Sequence, residues 1–418
     1  MGRPARAPRV VVASDSFKGS LTSLEVGDAV RLGLLDVAPH AEVVVVPVAD
    51  GGEGTVAAAV ATGWHAVPVP VHGPTGAPVS ATLVVRGTTA LVEMADACGL
   101  GRLPDAVPAP LTASSRGLGE AIRGALDLGA AEIVVGVGGS ASTDGGAGML
   151  AALGARLLDA DGVDLPDGGA ALARLAHLDL SGLDPRLAGT RLVMAADVDS
   201  PLLGPTGAAE VFAPQKGATA SDVTLLEAAL AHWADVVESH PDVPTSTNRS
   251  LQVRAAGVPA VTYWSMGGRM PGAGAAGGVG FALLAVLGAE HCSGIDLVLD
   301  LVGLDAAMAA VPDPGGPGTG PKCADLVITG EGSLDAQTLT GKAVKGVAQR
   351  AAGHGIPAVA VCGCLDLDST SLAAIGIRRA YPLSDLEPDR GRSIRSAASL
   401  LRLTAERIAV DWLSHPPG

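Results

Sequence analysis

The segment Leu326-Val327-Ile328-Thr329-Gly330-Glu331-Gly332 does more than any other stretch to indicate the fold of this 418-residue chain. Its apolar first half predicts a buried strand, and Gly-Glu-Gly predicts a turn at the end of that strand. Polar and charged groups follow before a predicted helix: Asp335, Gln337, Thr338 and Lys342. A strand, an acidic glycine turn and a lysine at a helix start are how a parallel sheet presents groups to a phosphorylated ligand. The alternative is an ordinary strand, turn and helix, because the glycine spacing does not match G-x-x-x-x-G-K-[ST].

The composition narrows the class of protein. Hydrophobic residues make up 48% of the chain and aromatic residues only 2%, which suits helices packed on buried strands better than a sandwich of sheets. No apolar run approaches the roughly 18 residues of a membrane helix, and the first residues lack the apolar core of a signal peptide. A net charge of −15 argues against sequence-independent nucleic-acid binding. The five cysteines are scattered and lack zinc-ligand spacing, so we expect a reduced, cytoplasmic protein.

Lysine is rare in this chain, and its positions are selective. Of five lysines, four adjoin a glycine: Lys18, Lys216, Lys342 and Lys345. A compact ammonium group in a flexible glycine turn suits phosphate or carboxylate binding. A general bias against lysine in this sequence is the alternative explanation.

Two strand-to-helix units open the chain. A predicted strand, Arg9–Ser14, ends in a polar loop at residues 15–20, and a second predicted strand at 42–48 ends in the acidic glycine loop 50–55. Between them, Thr22 and Glu25 have the spacing of a capping box at a helix start. Both strands deliver carboxylates at their carboxyl ends, where parallel sheets bind ligands. Any one of these carboxylates could instead only cap a helix.

The middle of the chain has a different pattern of predicted strands, helices and loops. From residue 68 to about residue 101, short β-rich pieces alternate with Gly, Pro and Thr. A strand predicted at 132–137 runs into a glycine-rich, hydroxyl-bearing loop, and a helix is predicted over 147–157. Further strands are predicted at 191–196 and 295–299, and residues 240–269 are predicted to form a long surface loop.

The last hundred-odd residues alternate helix and strand again, as the first seventy do. We therefore predict an α/β protein in which a parallel-sheet domain, residues 1–70 and 286–418, is interrupted by an inserted second α/β domain, residues 71–285. The active site is expected in the cleft between the two domains. Glycine-rich loops, strand-end carboxylates and glycine-flanked lysines suit phosphoryl transfer, which depends on positioning, Mg²⁺ and charge neutralisation.

Five motifs together resemble the class I glycerate kinase family. They are Ser14-Asp15-Ser16-Phe17-Lys18-Gly19-Ser20, Ala49-Asp50-Gly51-Gly52-Glu53-Gly54-Thr55, Gly138-Gly139-Ser140 with Thr143-Asp144-Gly145-Gly146, Pro214-Gln215-Lys216-Gly217-Ala218, and Thr329-Gly330-Glu331-Gly332 with Asp335 and Gly341-Lys342. The resemblance implies ATP- and Mg²⁺-dependent phosphorylation of D-glycerate, most often at the 2-hydroxyl, in organic acid catabolism. It also implies a Rossmann-like α/β domain with an inserted second domain.

The chain departs from the family's usual pattern at three places. Thr143 stands where the family usually has Asn, and Ser333 stands where it usually has Arg. The segment 240–269 is longer than the family needs. The first two departures could alter ligand contacts and the third could alter closure, so they bear on which hydroxy acid is the substrate.

The resemblance and the loop chemistry together assign roles as hypotheses. Asp197 is the expected acceptor of the glycerate hydroxyl proton, with Asp15 as the rival. Lys18 and Ser16 are expected to bind the substrate carboxylate or the transferring phosphoryl group, and Lys216 is a further substrate-binding candidate. The candidates for the nucleotide phosphates are Gly138, Gly139, Ser140, Gly330, Glu331, Gly332, Asp335 and Lys342. The candidates for Mg²⁺ are Asp50, Glu53 and Asp144.

Several alternatives stay open at this point. The product could be 3-phosphoglycerate, or the acceptor a related hydroxy acid. An NAD-dependent oxidoreductase is the alternative from another class, since Gly136-x-Gly138-x-x-Ala141 matches a loose dinucleotide fingerprint. A non-catalytic sensor of sugar acids is a third. A homo-oligomer is also open, as is the choice of which loop binds ATP and which binds glycerate.

Overall fold

The computed structural model describes residues 7–49, 51–52, 54–243, 250–253, 261–264, 269–309, 323–340 and 342–413. The chain divides into two compact units. The terminal unit consists of residues 1–50, 57–63 and 295–418, and the inserted unit consists of residues 51–56 and 64–294. The predicted domain bounds at residues 70 and 285, and the predicted cleft, stay predictions. Among the described residues, no helix is both long and apolar enough to cross a membrane.

The strands and helices are numbered in chain order. The strands are β1 (Arg9–Ser14), β2 (Glu42–Val45), β3 (His65–His72), β4 (Pro78–Arg86), β5 (Thr89–Glu93), β6 (Glu132–Gly136), β7 (Arg156–Leu158), β8 (His177–Asp179), β9 (Arg191–Ala195), β10 (Ser250–Val253), β11 (Val261–Trp264), β12 (Glu290–Cys292), β13 (Leu326–Leu334), β14 (Ala358–Leu365) and β15 (Ile377–Pro382). The helices are α1 (Ser23–Val37), α2 (Thr55–Ala61), α3 (Met94–Cys98), α4 (Arg116–Asp127), α5 (Ala147–Ala152), α6 (Ala208–Phe212), α7 (Ala220–Glu238), α8 (Ala275–Phe281), α9 (Gly294–Leu301), α10 (Leu304–Met308), α11 (Ala343–Gly353), α12 (Ser369–Ala374), α13 (Arg390–Arg395) and α14 (Ala397–Trp412).

The terminal unit is built on a parallel sheet of five strands in the order β15-β14-β13-β1-β2. Successive side chains of β1 point to opposite faces of the sheet. Val10 and Val12 pack in a core with residues of α1 and α14, whereas Val11 and Ala13 pack in a second core with residues of α9 and α11. Because both faces are covered, β1 is buried along its whole length. The predicted parallel α/β architecture is confirmed.

The capping box predicted at the start of α1 is confirmed. The Thr22 side chain accepts from the Glu25 amide, and the Glu25 carboxylate accepts from the Thr22 amide. The buried face of α1 then packs closely on α14. A Cβ atom added at Gly33 would lie 2.1 Å from the carbonyl oxygen of Arg402, so glycine is what permits the two helices to approach this closely.

The inserted unit is built on a mixed sheet of six strands in the order β12-β9-β6-β5-β4-β3. The first four are parallel to one another, and β4 and β3 join antiparallel. This antiparallel edge is the β-rich texture predicted after residue 68. A single core packs this sheet against α4, α5 and α7. The predicted α/β class of this part is confirmed as well.

Three predictions of local structure are wrong or incomplete. Residues 295–299 belong to α9 and not to a strand, because Ile295, Val298, Leu299 and Val302 recur at helical spacing and are all buried. The helix predicted over 147–157 ends at Ala152, and the left-handed Gly154 (φ 110°) turns the chain into β7. Within the predicted loop 240–269, β10 and β11 pair antiparallel, and residues 244–249, 254–260 and 265–268 lie outside the described residues.

The opening prediction of a turn at Gly330-Glu331-Gly332 is also wrong. β13 continues through these residues to Leu334, paired in parallel with β14 as far as Leu365. The glycine at position 330 serves close strand packing, because a Cβ atom there would lie 2.3 Å from the carbonyl oxygen of Val361.

Substitution of Gly33 by Ala tests the close approach of α1 and α14. We expect Gly33→Ala to lower the free energy of unfolding by about 1–3 kcal/mol, because the added methyl group has no space against the backbone of α14. Gly353→Ala is the matched control, since a Cβ atom at this helical glycine meets nothing within 4 Å. Urea denaturation followed by circular dichroism measures both, and equal stabilities would contradict the packing described.

Candidate active site

The terminal unit has a cavity at the carboxyl ends of its strands. The sheet order places β1 between β2 and β13. The next strand in sequence, β2, lies on one side of β1, and the later strands β13, β14 and β15 lie on the other side. Parallel sheets bind ligands at such a switch point. A cavity of about 290 Å³ opens here. Six of the predicted site residues line it: Asp15, Ser16, Lys18, Glu331, Gly332 and Lys342.

The loop after β1 supplies the first three of these residues. The Asp15 amide donates to the Gly330 carbonyl (2.9 Å), which extends the pairing with β13 past the end of β1. Asp15 is 8% exposed, and its carboxylate accepts from the Ser16 amide at 2.6 Å. Hydrogen bonds between the backbones of Phe17 and Leu21 then close the loop. Lys18 therefore lies exposed on a short, braced loop at the cavity wall.

A buried carboxylate and a lysine also line the cavity. Glu331 is 7% exposed and accepts from the Thr338 hydroxyl at 2.6 Å and from the Lys342 ammonium group at 3.2 Å. Lys342 precedes the first turn of α11, and its side chain does not cap that turn. The ion pair holds the ammonium group at the positive end of the helix dipole. Such an arrangement favours an anionic ligand.

Two other predicted nucleotide residues lie beside this cavity without lining it. Gly330 is a strand residue whose carbonyl accepts from the Ser14 hydroxyl and the Asp15 amide. The Asp335 carboxylate accepts from the Gln337 amide at 2.8 Å. Asp335 therefore shapes the turn that leads to α11, and the geometry gives both residues a positioning role.

One wall of the cavity was missed from the sequence. It follows β15 and consists of residues 383–397, including Leu383, Glu387 and Ile394. Ser333 and Cys364 also line the cavity, so the departure noted at position 333 falls on a ligand-facing wall. This wall could have been predicted by the rule applied to β1, because the loops that follow parallel strands all lie at the same edge of the sheet.

The inserted unit holds the other predicted phosphate loop. Gly138 packs against backbone, since a Cβ atom there would lie 2.6 Å from the Cα atom of Gly52. Glu93, which the sequence did not single out, accepts from the Gly54 and Val56 amides at 3.1 and 3.0 Å. It thereby braces the start of α2. Two predicted metal ligands, Asp50 and Glu53, lie outside the described residues.

Lys216 is buried in the inserted unit. It is 2% exposed, and its ammonium group donates to the Ser140 hydroxyl at 2.8 Å and to the Ser142 carbonyl at 2.5 Å. Both partners are neutral, so burial lowers the pKa of Lys216 to about 7. Gly277 lies over these groups, where a Cβ atom would come within 2.9 Å of the ammonium nitrogen. Lys216 and Ser140 therefore contact each other, as part of one packed cluster that also holds the glycine loop.

Asp144 is fully buried, and neighbouring backbone amides donate hydrogen bonds to its carboxylate. Its carboxylate accepts from the amide and hydroxyl of Ser115, both at 2.8 Å, and from the amides of Gly146 and Gly148, both at 3.2 Å. Burial nevertheless raises the pKa of Asp144. These four bonds hold the starts of α4 and α5 together. The geometry supports a structural role for Asp144, and its role as a Mg²⁺ ligand stays a prediction.

Asp197 follows β9 in the inserted unit and is exposed. Its carboxylate accepts from the Ser293 hydroxyl at 2.9 Å. Within the described parts of the chain, no three His, Cys, Asp or Glu side chains converge as a metal site.

The comparisons with known proteins agree with one another. The chain matches the sequence profile of the glycerate kinase family over residues 10–413. It is 41% identical to glycerate kinase of Bacillus subtilis (strain 168), over 96% of this chain and 97% of the relative. It is 42% identical to glycerate 2-kinase of Escherichia coli (strain K12), over 86% of each chain. A crystal structure assigned to glycerate kinase 2 of Salmonella typhimurium LT2 matches with a TM-score of 0.76 and 39% identity, covering 98% of this chain and 99% of that one. This chain belongs to the glycerate kinase family.

Membership of the glycerate kinase family confirms the resemblance and makes the chain an enzyme, a phosphotransferase with an alcohol group as acceptor. The oxidoreductase and sensor alternatives lose their basis. Local structure gives a second reason against the dinucleotide fingerprint. Its glycines should open a helix directly after the strand, whereas α5 begins only at Ala147, well beyond Gly136.

The lowered pKa of Lys216 predicts a pH dependence of stability. Between about pH 7 and the ordinary lysine value of 10.5, the unfolded state carries a proton that the folded state lacks. The Lys216 contribution to the free energy of unfolding should therefore rise with pH across this window, by at most about 1.4 kcal/mol per pH unit. Below about pH 7 the lysine is protonated in both states, and the contribution is constant.

The control for this prediction is Lys216→Met, which keeps the chain length of the side chain and removes the titration. We expect the stability of the wild-type protein to gain on that of the variant as the pH rises from about 7 to about 9. Urea denaturation at several pH values measures the difference. Parallel pH profiles of the two proteins would contradict the lowered pKa.

Proposed function

We propose that the chain catalyses the ATP- and Mg²⁺-dependent phosphorylation of D-glycerate to 2-phosphoglycerate. The observation that carries this proposal is the cavity at the switch point of the terminal unit. It combines two lysines, an arginine, three carboxylates and the start of α11 in a protein of the glycerate kinase family. The 2-position is supported by the relative named glycerate 2-kinase. 3-Phosphoglycerate and a related hydroxy acid as acceptor stay as alternatives.

The positive groups of the cavity suit the phosphates of ATP. Phosphoryl transfer leaves little covalent chemistry for the protein, which acts by positioning the reactants and neutralising charge. Lys342 is already held in place by Glu331, and Lys18 lines the same cavity. In this proposal the two ammonium groups contact the phosphates, and the first amides of α11 add the dipole of the helix. Gly332 leaves the wall between them free of a side chain.

The transfer itself needs a proton acceptor. The glycerate hydroxyl oxygen forms a bond to the terminal phosphorus, the bond from that phosphorus to the bridging oxygen of ADP breaks, and the hydroxyl proton passes to a carboxylate. Asp15 is now the favoured acceptor, because it lines the same cavity as Lys18. Asp197 remains the rival. Ser16 is proposed to orient the substrate, and Lys216 with the Gly138, Gly139 and Ser140 loop is a further candidate set.

Bound Mg²⁺ would neutralise phosphate charge and align the transferring group. Asp50 and Glu53 stay as proposed ligands. We also infer that the enzyme works in the cytoplasm, in organic acid catabolism. All five cysteines are free thiols, which suits a reducing compartment.

The proposal is tested by a coupled assay of ADP release with ATP, Mg²⁺ and D-glycerate, with L-glycerate and other hydroxy acids in parallel. Rapid ADP release with D-glycerate is the expected result. Phosphorus NMR of the product then distinguishes the 2-phosphate from the 3-phosphate. Turnover with another hydroxy acid alone would support the kinase activity and contradict D-glycerate as the substrate. Thr143 and Ser333 would then be the first residues to test for a role in substrate specificity. Absence of turnover with every acceptor would refute the proposed activity.

Lys18→Ala tests the role of the exposed cavity lysine. We expect turnover to fall by about two or more orders of magnitude while the protein stays folded, because charge neutralisation of the phosphates is lost. Lys345→Ala is the matched control, since this lysine also adjoins a glycine but donates to the Leu339 carbonyl at 2.9 Å and does not line the cavity. Near-normal turnover of folded Lys18→Ala would remove Lys18 from the site.

A further inference from the structure

The cavity of the terminal unit has two chemically different ends. Around the carboxyl ends of β1 and β13 its lining is charged, as described above. After β15 its lining has four apolar residues, Leu383, Pro388, Ile394 and Ala397, beside four polar or charged ones, Ser384, Glu387, Arg390 and Ser393. One cavity within one compact unit therefore holds the charged groups proposed to bind phosphate together with the apolar side chains that follow β15.

The apolar end is fixed by the fold. Leu383 and Ala397 are 1% and 3% exposed and belong to the core that also covers β1. After β15 the chain turns back, with the amide of Glu387 donating to the Leu383 carbonyl at 3.0 Å. The Ser20 hydroxyl donates to the Ile394 carbonyl at 2.9 Å. This bond ties the apolar wall to the loop that carries Lys18.

Ile394 differs from the rest of this wall. It is 42% exposed although it lines the cavity, so an apolar side chain is left uncovered at a ligand site. Covering such a surface favours binding of an apolar ligand group. D-Glycerate offers no such group, because its carbons all carry oxygen. A purine base offers a flat apolar face.

We propose that the nucleoside part of the phosphate donor binds at this apolar end, against Leu383, Pro388, Ile394 and Ala397. The proposal rests on the proposed function, since it takes a nucleoside triphosphate as the donor. It places the phosphates at Lys18 and Lys342 and the base toward α13 and α14. The volume of about 290 Å³ is near the lower end of the range of small-molecule sites. It also assigns a function to residues 383–397, which lie outside the motifs that resemble the family.

Calorimetric titration of the full chain with ATP, and separately with inorganic tripolyphosphate, tests the placement. Ile394→Gln removes the apolar contact, keeps a similar size and adds no charge. We expect it to weaken ATP binding about tenfold and to leave tripolyphosphate binding unchanged. Leu403→Gln is the matched control, because Leu403 is 49% exposed on α14 and does not line the cavity. Its affinity for both ligands should equal that of the wild type.

Photolabelling with 8-azido-ATP gives an independent test. We expect the label on peptides of residues 383–397 and its loss in competition with ATP. A label confined to residues 64–294, or equal ATP affinity of Ile394→Gln and the wild type, would overturn the placement while the proposed function stands. A wild-type protein that binds tripolyphosphate but not ATP would overturn both, because the donor would then not be a nucleotide.

Discussion

The parallel pairing of β1 with β13 is the interaction on which the rest of the terminal unit depends. It joins Val10 to Leu326 and continues residue by residue to Ser14 and Gly330, across more than three hundred residues of sequence. The Asp15 amide and the Ser14 hydroxyl both donate to the Gly330 carbonyl, so the pairing is reinforced where β1 ends. Since parallel strands end at the same edge, this register brings the first polar loop of the chain beside Glu331 and Lys342. The inserted unit can occupy the middle of the sequence because β1 and β13 pair directly.

The two partly or fully buried lysines show how burial and partners decide the use of the same side chain. Lys342 is partly exposed and paired with the Glu331 carboxylate, which holds its ammonium group at the cavity, where an anion can contact it. Lys216 is enclosed by neutral oxygens, and its pKa falls to about 7. It therefore stands near the balance between charged and neutral forms at the pH of a cell. Glycine neighbours are common to both, and the contacts of the folded chain make the difference.

The parts of the fold and site that could be predicted from the sequence are those that depend on interactions between near neighbours in the chain. β1 and the α1 capping box follow from local patterns, since valine runs and Thr-x-x-Glu act through near neighbours. The extension of β13 through Gly330-Glu331-Gly332 could not be predicted, because the pairing with β14 overrides the local preference for a turn. The strand predicted at residues 295–299 is wrong because a short apolar run fits a strand and a helix equally. The apolar wall around Ile394 has no motif of its own and exists only through its position after β15. Asp144 belongs to a motif that predicted a ligand-binding role. In the folded chain its carboxylate accepts four hydrogen bonds that hold neighbouring segments together.

A crystal structure of the protein with Mg²⁺ and a non-hydrolysable ATP analogue tests the account most directly. The account predicts electron density for the analogue in the cavity of the terminal unit, with phosphate oxygens within hydrogen-bond distance of Lys18 and Lys342 and the base against Ile394. Density for the triphosphate at the Gly138–Ser140 loop of the inserted unit, with the cavity of the terminal unit empty, would contradict it.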